Sequence, residues 1–123
     1  MAKKEDGFVY IFSNPSLNCL KIGNTRREPQ DRAIQMSRSD AIPTPFKVEF
    51  AINVKGGRYQ AEQKIHKLLE PYRIGKEFFK ISVEDAKTIL IKNIKGETLD
   101  EFITQRLHKM AGDINRVFSV ARL

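Results

Sequence analysis

The stretch GFVYIFSNPSLNCLKIGNT, residues 7 to 25, constrains the fold more than any other part of the chain. FVYIF is a run of β-branched and aromatic residues and reads as a strand. SNPSLN is a turn cluster, and CLKIG is a second strand-like run. With so short a connection the two runs are expected to pair as an antiparallel hairpin. Side chains alternate along a strand, so Tyr10 points away from Val9 and Ile11, and Lys21 away from Leu20 and Ile22. Both are therefore expected on the less apolar face, as cross-strand neighbours. An ammonium beside a phenol favours the phenolate and lowers its pKa, which would let the phenol take a proton from water. Gly23 would leave room for a phosphate or a close backbone. On the residues alone, the alternative is an ordinary half-exposed tyrosine and lysine on a sheet surface.

Further along, Pro29, Asp31, Ala33, Ile34 and Met36 suggest a short helix from Pro29 to Ser37. IPTP breaks regular structure with two prolines. FKVEFAINV alternates, so Phe46, Val48, Phe50, Ile52 and Val54 are expected to share one face of a half-buried strand. RYQAEQKIHKLLEPY has Ala61, Ile65, Leu68, Leu69 and Tyr72 at helical spacing and ends at Pro71. EFFKI is a short strand. Ser82 with Asp85, then Thr98 with Glu101, mark two more helix starts. The last helix carries a narrow seam of Ile103, Leu107, Met110, Ile114, Val117 and Ala121, interrupted by Gly112. That seam is expected to pack back on the domain, with a homodimer through the C-terminal helix as the alternative. The expected order is β-β-α-β-α-β-α-α. It describes an α+β fold: a small, mainly antiparallel sheet flanked by helices, with extra C-terminal helices.

Composition narrows the function. The 123 residues suit one compact domain, here residues 7–95, with a helical extension over 96–123. The N-terminal MAKKEDG lacks the apolar stretch of a secretory signal, and no apolar run is long enough to cross a membrane. Cys19 is the only cysteine, so no internal disulfide can form and a cysteine-based zinc site lacks ligands. These features suit an intracellular protein, in a cytoplasm or a host nucleus or nucleoid. The net charge of +7 points to a polyanionic partner, most simply DNA.

FVY at residues 8–10 and KIG at 21–23, ten residues apart, resemble the first two motifs of the GIY-YIG nuclease superfamily. Arg32, nine residues past Gly23, fits the arginine that family carries on the next helix, and Glu62 in AEQKIH fits its metal-binding glutamate. KIGNT, DR, IPTPF, AEQKIH and EFF are similar to one branch, the phage and viral DNA-binding domains of the orf172 type. The resemblance spans about residues 7–86. It implies a DNA endonuclease that uses Mg²⁺ or Mn²⁺, with Tyr10, Lys21, Arg32 and His66 as catalytic residues and Glu62 as the metal ligand.

Chemistry gives each residue a role. Arg32 can hold two oxygens of the crowded phosphorane. A lone carboxylate with several waters suits Mg²⁺, which dehydrates reluctantly. On residues alone, Glu62 could equally be a surface glutamate paired with His66. His66, one helical turn on, could orient water, protonate a leaving oxygen, or simply pack the helix. Arg26, Arg27, Arg38, Lys47, Arg58 and Arg73 are the candidate DNA contacts, which position the duplex without reading bases. Arg73 and Glu77 flank the last strand and suit either an ion pair at the sheet edge or phosphate contact. Two departures stand out: Lys21 replaces the tyrosine of the second motif, and Met36 stands where a histidine often follows the arginine. They leave open a DNA-binding module that has lost catalysis.

Overall fold

The computed structural model describes residues 4–39 and 41–121, with side chains as far as 111. Strands β1 (Gly7–Ser13) and β2 (Leu20–Thr25) form the expected hairpin, and helix α1 (Pro29–Met36) follows. Then come β3 (Lys47–Val54), α2 (Arg58–Leu68), a 3₁₀ turn at Glu70–Tyr72, β4 (Arg73–Gly75) and β5 (Phe78–Phe79). Helix α3 (Val83–Asn93), β6 (Glu97–Thr98) and α4 (Leu99–Ala121) complete the chain. The strands make one antiparallel sheet in the order β4-β5-β2-β1-β3-β6. The fold is the expected α+β. Two very short strands, β4 and β6, were not expected, because two or three residues carry no readable alternation.

Central β1 is covered on both faces. Val9 and Ile11 join Leu20, Ile22, Phe50, Ile52 and Val54 against Ile65 of α2, Leu69 just past its end, and Ala86 and Leu90 of α3. Phe8, Tyr10 and Phe12 line the opposite face with Ala33 and Phe46, over which Leu99 and Phe102 of α4 also pack. The expectation of a less apolar face is thus corrected. Tyr10 stands between two phenylalanines, and a strand apolar on both sides has to be roofed on both.

The single face expected for β3 is also corrected. The pairing steps from Ile11↔Phe50 to Phe12↔Val48, so Glu49 is an extra residue in β3. This bulge turns Phe46 and Val48 to the Tyr10 face and leaves Phe50, Ile52 and Val54 on the other. The Glu49 carboxylate, displaced from the ladder, accepts from Ser13 Oγ at 3.0 Å.

Both expected helix caps form. Ser82 Oγ accepts from Asp85 N at 3.1 Å, and Thr98 Oγ1 from Glu101 N at 3.2 Å. Helix α2 ends at Leu68, leaving Leu68 and Tyr72 half exposed where the helical spacing expected burial. On α4 only Leu99 and Phe102 dock. Ile103, Leu107 and Met110 stay 44–58% exposed, so the expected packing of the seam on the domain is not made there. The side chains of Ile114, Val117 and Ala121 lie outside the described residues. Among the described residues no helix is long and apolar enough to cross a membrane.

Candidate functional site

The site forms beside the start of β5. β5 pairs with β2 only at Leu20 and Lys21, and Ile22 N then donates to Glu77 O at 3.0 Å. Past that point, among the described residues, the outer edge of β2 has no strand beside it. The carbonyl of Ile22 faces this gap and accepts from His66 Nε2 of α2 at 2.7 Å. Two sets of side chains reach the gap, one from each face of the sheet.

Tyr10 comes from β1. Its cross-strand partner is Gly23, and Lys21 lies opposite Phe12, so Tyr10 and Lys21 are diagonal rather than direct neighbours. The phenol lies over Gly23. A Cβ there would stand 2.5 Å from the hydroxyl and 3.2 Å from Glu77 Oε2. Thus the room at Gly23 is taken by a phenol and a carboxylate. The Tyr10 ring stacks on Phe12 at 3.8 Å, and Met36 Sδ lies 3.9 Å from the hydroxyl. Arg32, one turn before Met36 on α1, donates to Gln35 Oε1 at 2.9 Å and lies near enough to the same hydroxyl to favour its charged form.

Glu62 comes from α2 on the other face and is only 2% exposed. Its Oε2 accepts a short hydrogen bond from Asn24 Nδ2, and its Oε1 lies 3.4 Å from His66 Nε2. Glu77, just before β5, is near enough to Glu62 to raise its carboxyl. Lys21 Nζ is 3.3 Å from Glu77 Oε2 and over the Phe78 ring. Glu77 thus pairs with Lys21 and stays partly exposed, rather than forming a buried ion pair with Arg73, which lies against Glu70. Tyr10, Lys21, Arg32, Glu62 and His66 therefore surround one spot, with Asn24 and Glu77 as further members.

The electrostatics differ from the sequence expectation. Burial pushes the Tyr10 phenol up to about 12, and the nearby Glu77 and Glu62 carboxylates push the same way. Arg32 opposes them, while Lys21 is held by Glu77. The expected lowering by Lys21 is thus corrected: the lysine meets a carboxylate first, and a buried phenolate is costly. Burial also raises the Glu62 carboxyl to about 7, with Glu77 adding to the rise and Asn24 and Lys21 opposing it.

Two neighbouring carboxylates in a partly dry site need a proton or a cation between them, and hard oxygen donors are what Mg²⁺ accepts. Glu62 and Glu77 are oxygen donors of the type such an ion takes, and Lys21 already sets one positive charge beside Glu77. Among the described residues no group of three or more His, Cys, Asp or Glu side chains is placed to hold a metal ion. His66 donates its inward nitrogen to a backbone carbonyl, which fixes the tautomer and caps the sheet edge.

The candidate DNA contacts fall into two groups. Arg26, Arg27, Arg38 and Lys47 are exposed, with Lys47 3.4 Å from Glu49. Arg27 and Arg38 line a shallow cavity of about 330 Å³ beside α1. Arg58 and Arg73 are turned inward. Arg58 bonds Asn24 Oδ1 at 3.0 Å and the carbonyls of Lys4 and Asp6, while Arg73 lies 3.0 Å from Glu70 and stacks over Phe79. Asn24 was missed at the sequence level. Its only signal was its place, one residue past Gly23 in KIGNT.

The T5orf172 domain model matches residues 7–94. No curated protein and no solved structure gives a significant match. The matched segment takes in β1 to β5, α1 to α3 and every member of the cluster, leaving β6 and α4 outside it. The chain belongs to the T5orf172 domain family.

Proposed function

We propose that the chain is a divalent-metal-dependent DNA endonuclease with a GIY-YIG-like site. The convergence of Tyr10, Lys21, Arg32, Glu62 and Glu77 around Gly23 supports this reading, because it pairs a phosphate-binding guanidinium with a carboxylate pair and a phenol. The family supports its coarser part, an association with nuclease-like and DNA-binding phage proteins. Glu62, with Glu77 beside it, would hold Mg²⁺ or Mn²⁺. When bound, such an ion supplies positive charge for the phosphate and the departing 3′-oxygen.

The chain's own residues then have defined roles. Arg32 binds the phosphate and stabilises the extra charge of the phosphorane. Tyr10 is protonated at neutral pH, so it cannot begin as a phenolate. It acts as a relay: it takes the proton of the attacking water while its own passes to the carboxylate pair. Lys21 holds Glu77 in place. Gly23 keeps the relay short, since any side chain there would part the phenol from Glu77.

The test is plasmid nicking in Mg²⁺ and in EDTA. Wild-type chain should nick only with the metal, while Tyr10→Phe and Glu62→Ala should fold and bind DNA without nicking. A catalytically silent DNA-binding module is the second reading, favoured by the burial of the phenol at 1% exposure. It predicts retention of DNA with no nicking in either buffer.

A further inference from the structure

A cavity of about 680 Å³ lies between the β3–β6 edge of the sheet and α4. Its walls carry four cations, Lys55, Lys95, Arg106 and Lys109, against one acid, Glu97. The wall is built closely. A Cβ at Gly96 would stand 2.2 Å from the Asn53 carbonyl, so only glycine lets the β6 segment lie against β3 with Lys95 at its side. On α4, Phe102, Arg106 and Lys109 fall on one face at helical spacing. Arg106 pairs with Glu28, which anchors the helix to the segment before α1. Lys55, Lys95 and Lys109 form no ion pair among the described residues. Three of the four cations lie outside the segment matched by the family model.

Unpaired lysines held around a concave surface fit a row of phosphates. The one aromatic residue lining the cavity, Phe102, turns its ring onto Phe8, edge to face at 5.5 Å. Among the described residues no ring is left on which a base could stack, and stacking is what single-strand grooves add to their charge. A cation-lined groove without a stacking platform suits the backbone of a duplex.

We propose that the groove between β6 and α4 binds the phosphate backbone of duplex DNA, as a contact surface separate from the Tyr10–Glu62 cluster. The proposal rests on the reading that the chain engages DNA and does not need it to cut. Through this groove the C-terminal helix holds the duplex while the cluster meets one phosphodiester.

The experiment is fluorescence anisotropy of a labelled duplex with the full chain over a salt series, for wild type and for the triple variant Lys55→Gln, Lys95→Gln and Lys109→Gln. Each lost phosphate contact should flatten the plot of log affinity against log salt by about one, so the triple variant should lose about three and bind more than tenfold more weakly at moderate salt. Amine-reactive labelling of the wild-type chain, with and without duplex, gives the same answer if the triple variant misfolds: the three lysines should be protected by DNA. Unchanged slope and affinity in a folded triple variant, or lysines equally reactive with and without DNA, would overturn the groove while leaving the nuclease reading intact. Duplex binding with a reduced slope in the variant, but no nicking by wild type, would support the groove and remove the nuclease reading. No duplex binding by wild type at low salt would overturn both.

Discussion

Gly23 and Glu62 show how far single residues control this site. Alanine at Gly23 would place a methyl group 2.5 Å from the Tyr10 hydroxyl, and the phenol is packed against Phe12 with little freedom to retreat. Gly23→Ala should therefore cost about 1–3 kcal/mol in chemical denaturation and abolish nicking, with DNA retention unchanged. Glu62 makes a prediction about pH. Its carboxyl titrates near 7 in the folded chain against a usual value of 4.5, so the folded state holds the proton more tightly than the unfolded. Stability should then fall as pH rises from about 4.5 to 7 and stay lower above that range. Glu62→Gln removes the charge, so it should raise the thermal midpoint by several degrees at pH 8 and by much less at pH 5. An equal shift at both pH values would show that Glu62 is not held in its protonated form.

Among the elements, the decisive features are a late start and an insertion. β5 begins only at Phe78 and covers two residues of β2, which leaves the edge of β2 beyond Ile22 open and lets α2 deliver Glu62 and His66 to it. The extra residue Glu49 in β3 shifts Phe46 and Val48 to the Tyr10 face, where they help to bury the phenol. Helix starts behave more locally. Ser82 caps α3 through one hydrogen bond to Asp85 N, so Ser82→Ala should cost about 1 kcal/mol, read as a lower urea midpoint with unchanged slope. The caps at Ser82 and Thr98 were legible because a side-chain oxygen three residues from its donor is a local arrangement. The bulge and the late start of β5 were not, because each depends on a partner strand far along the chain.

At the scale of the whole molecule, the described side chains of α4 join the rest of the fold through Leu99 and Phe102 over the Tyr10 face and through the Arg106–Glu28 ion pair. Phe102→Ala should loosen the helix locally, lowering its protection against amide exchange by about 2 kcal/mol while exchange in β1 and β2 is little changed. Uniform loss of protection would show instead that α4 folds as one unit with the domain. The surplus of cations also has a pattern at this scale. Arg26, Arg27 and Arg38 stay exposed, whereas Arg58 and Arg73 are engaged inside the protein. Net charge alone, +7, does not distinguish them.

The strand hairpin, the helix starts and the residue types of the cluster were readable from sequence, since alternation, capping and turn chemistry act over a few neighbouring positions. Spacing and resemblance also named Tyr10, Lys21, Arg32, Glu62 and His66. Which of them touch, and in what charge state, was settled by long-range packing. Phe8 and Phe12 with α1 and α4 turned an expected open face into a core, and burial then raised the phenol that Lys21 was expected to lower. Glu77 captured that lysine because β5 brings it to the edge of β2. Desolvation depends on everything that surrounds a group, and that surrounding is assembled from segments up to 92 positions apart, as Tyr10 and Phe102 show.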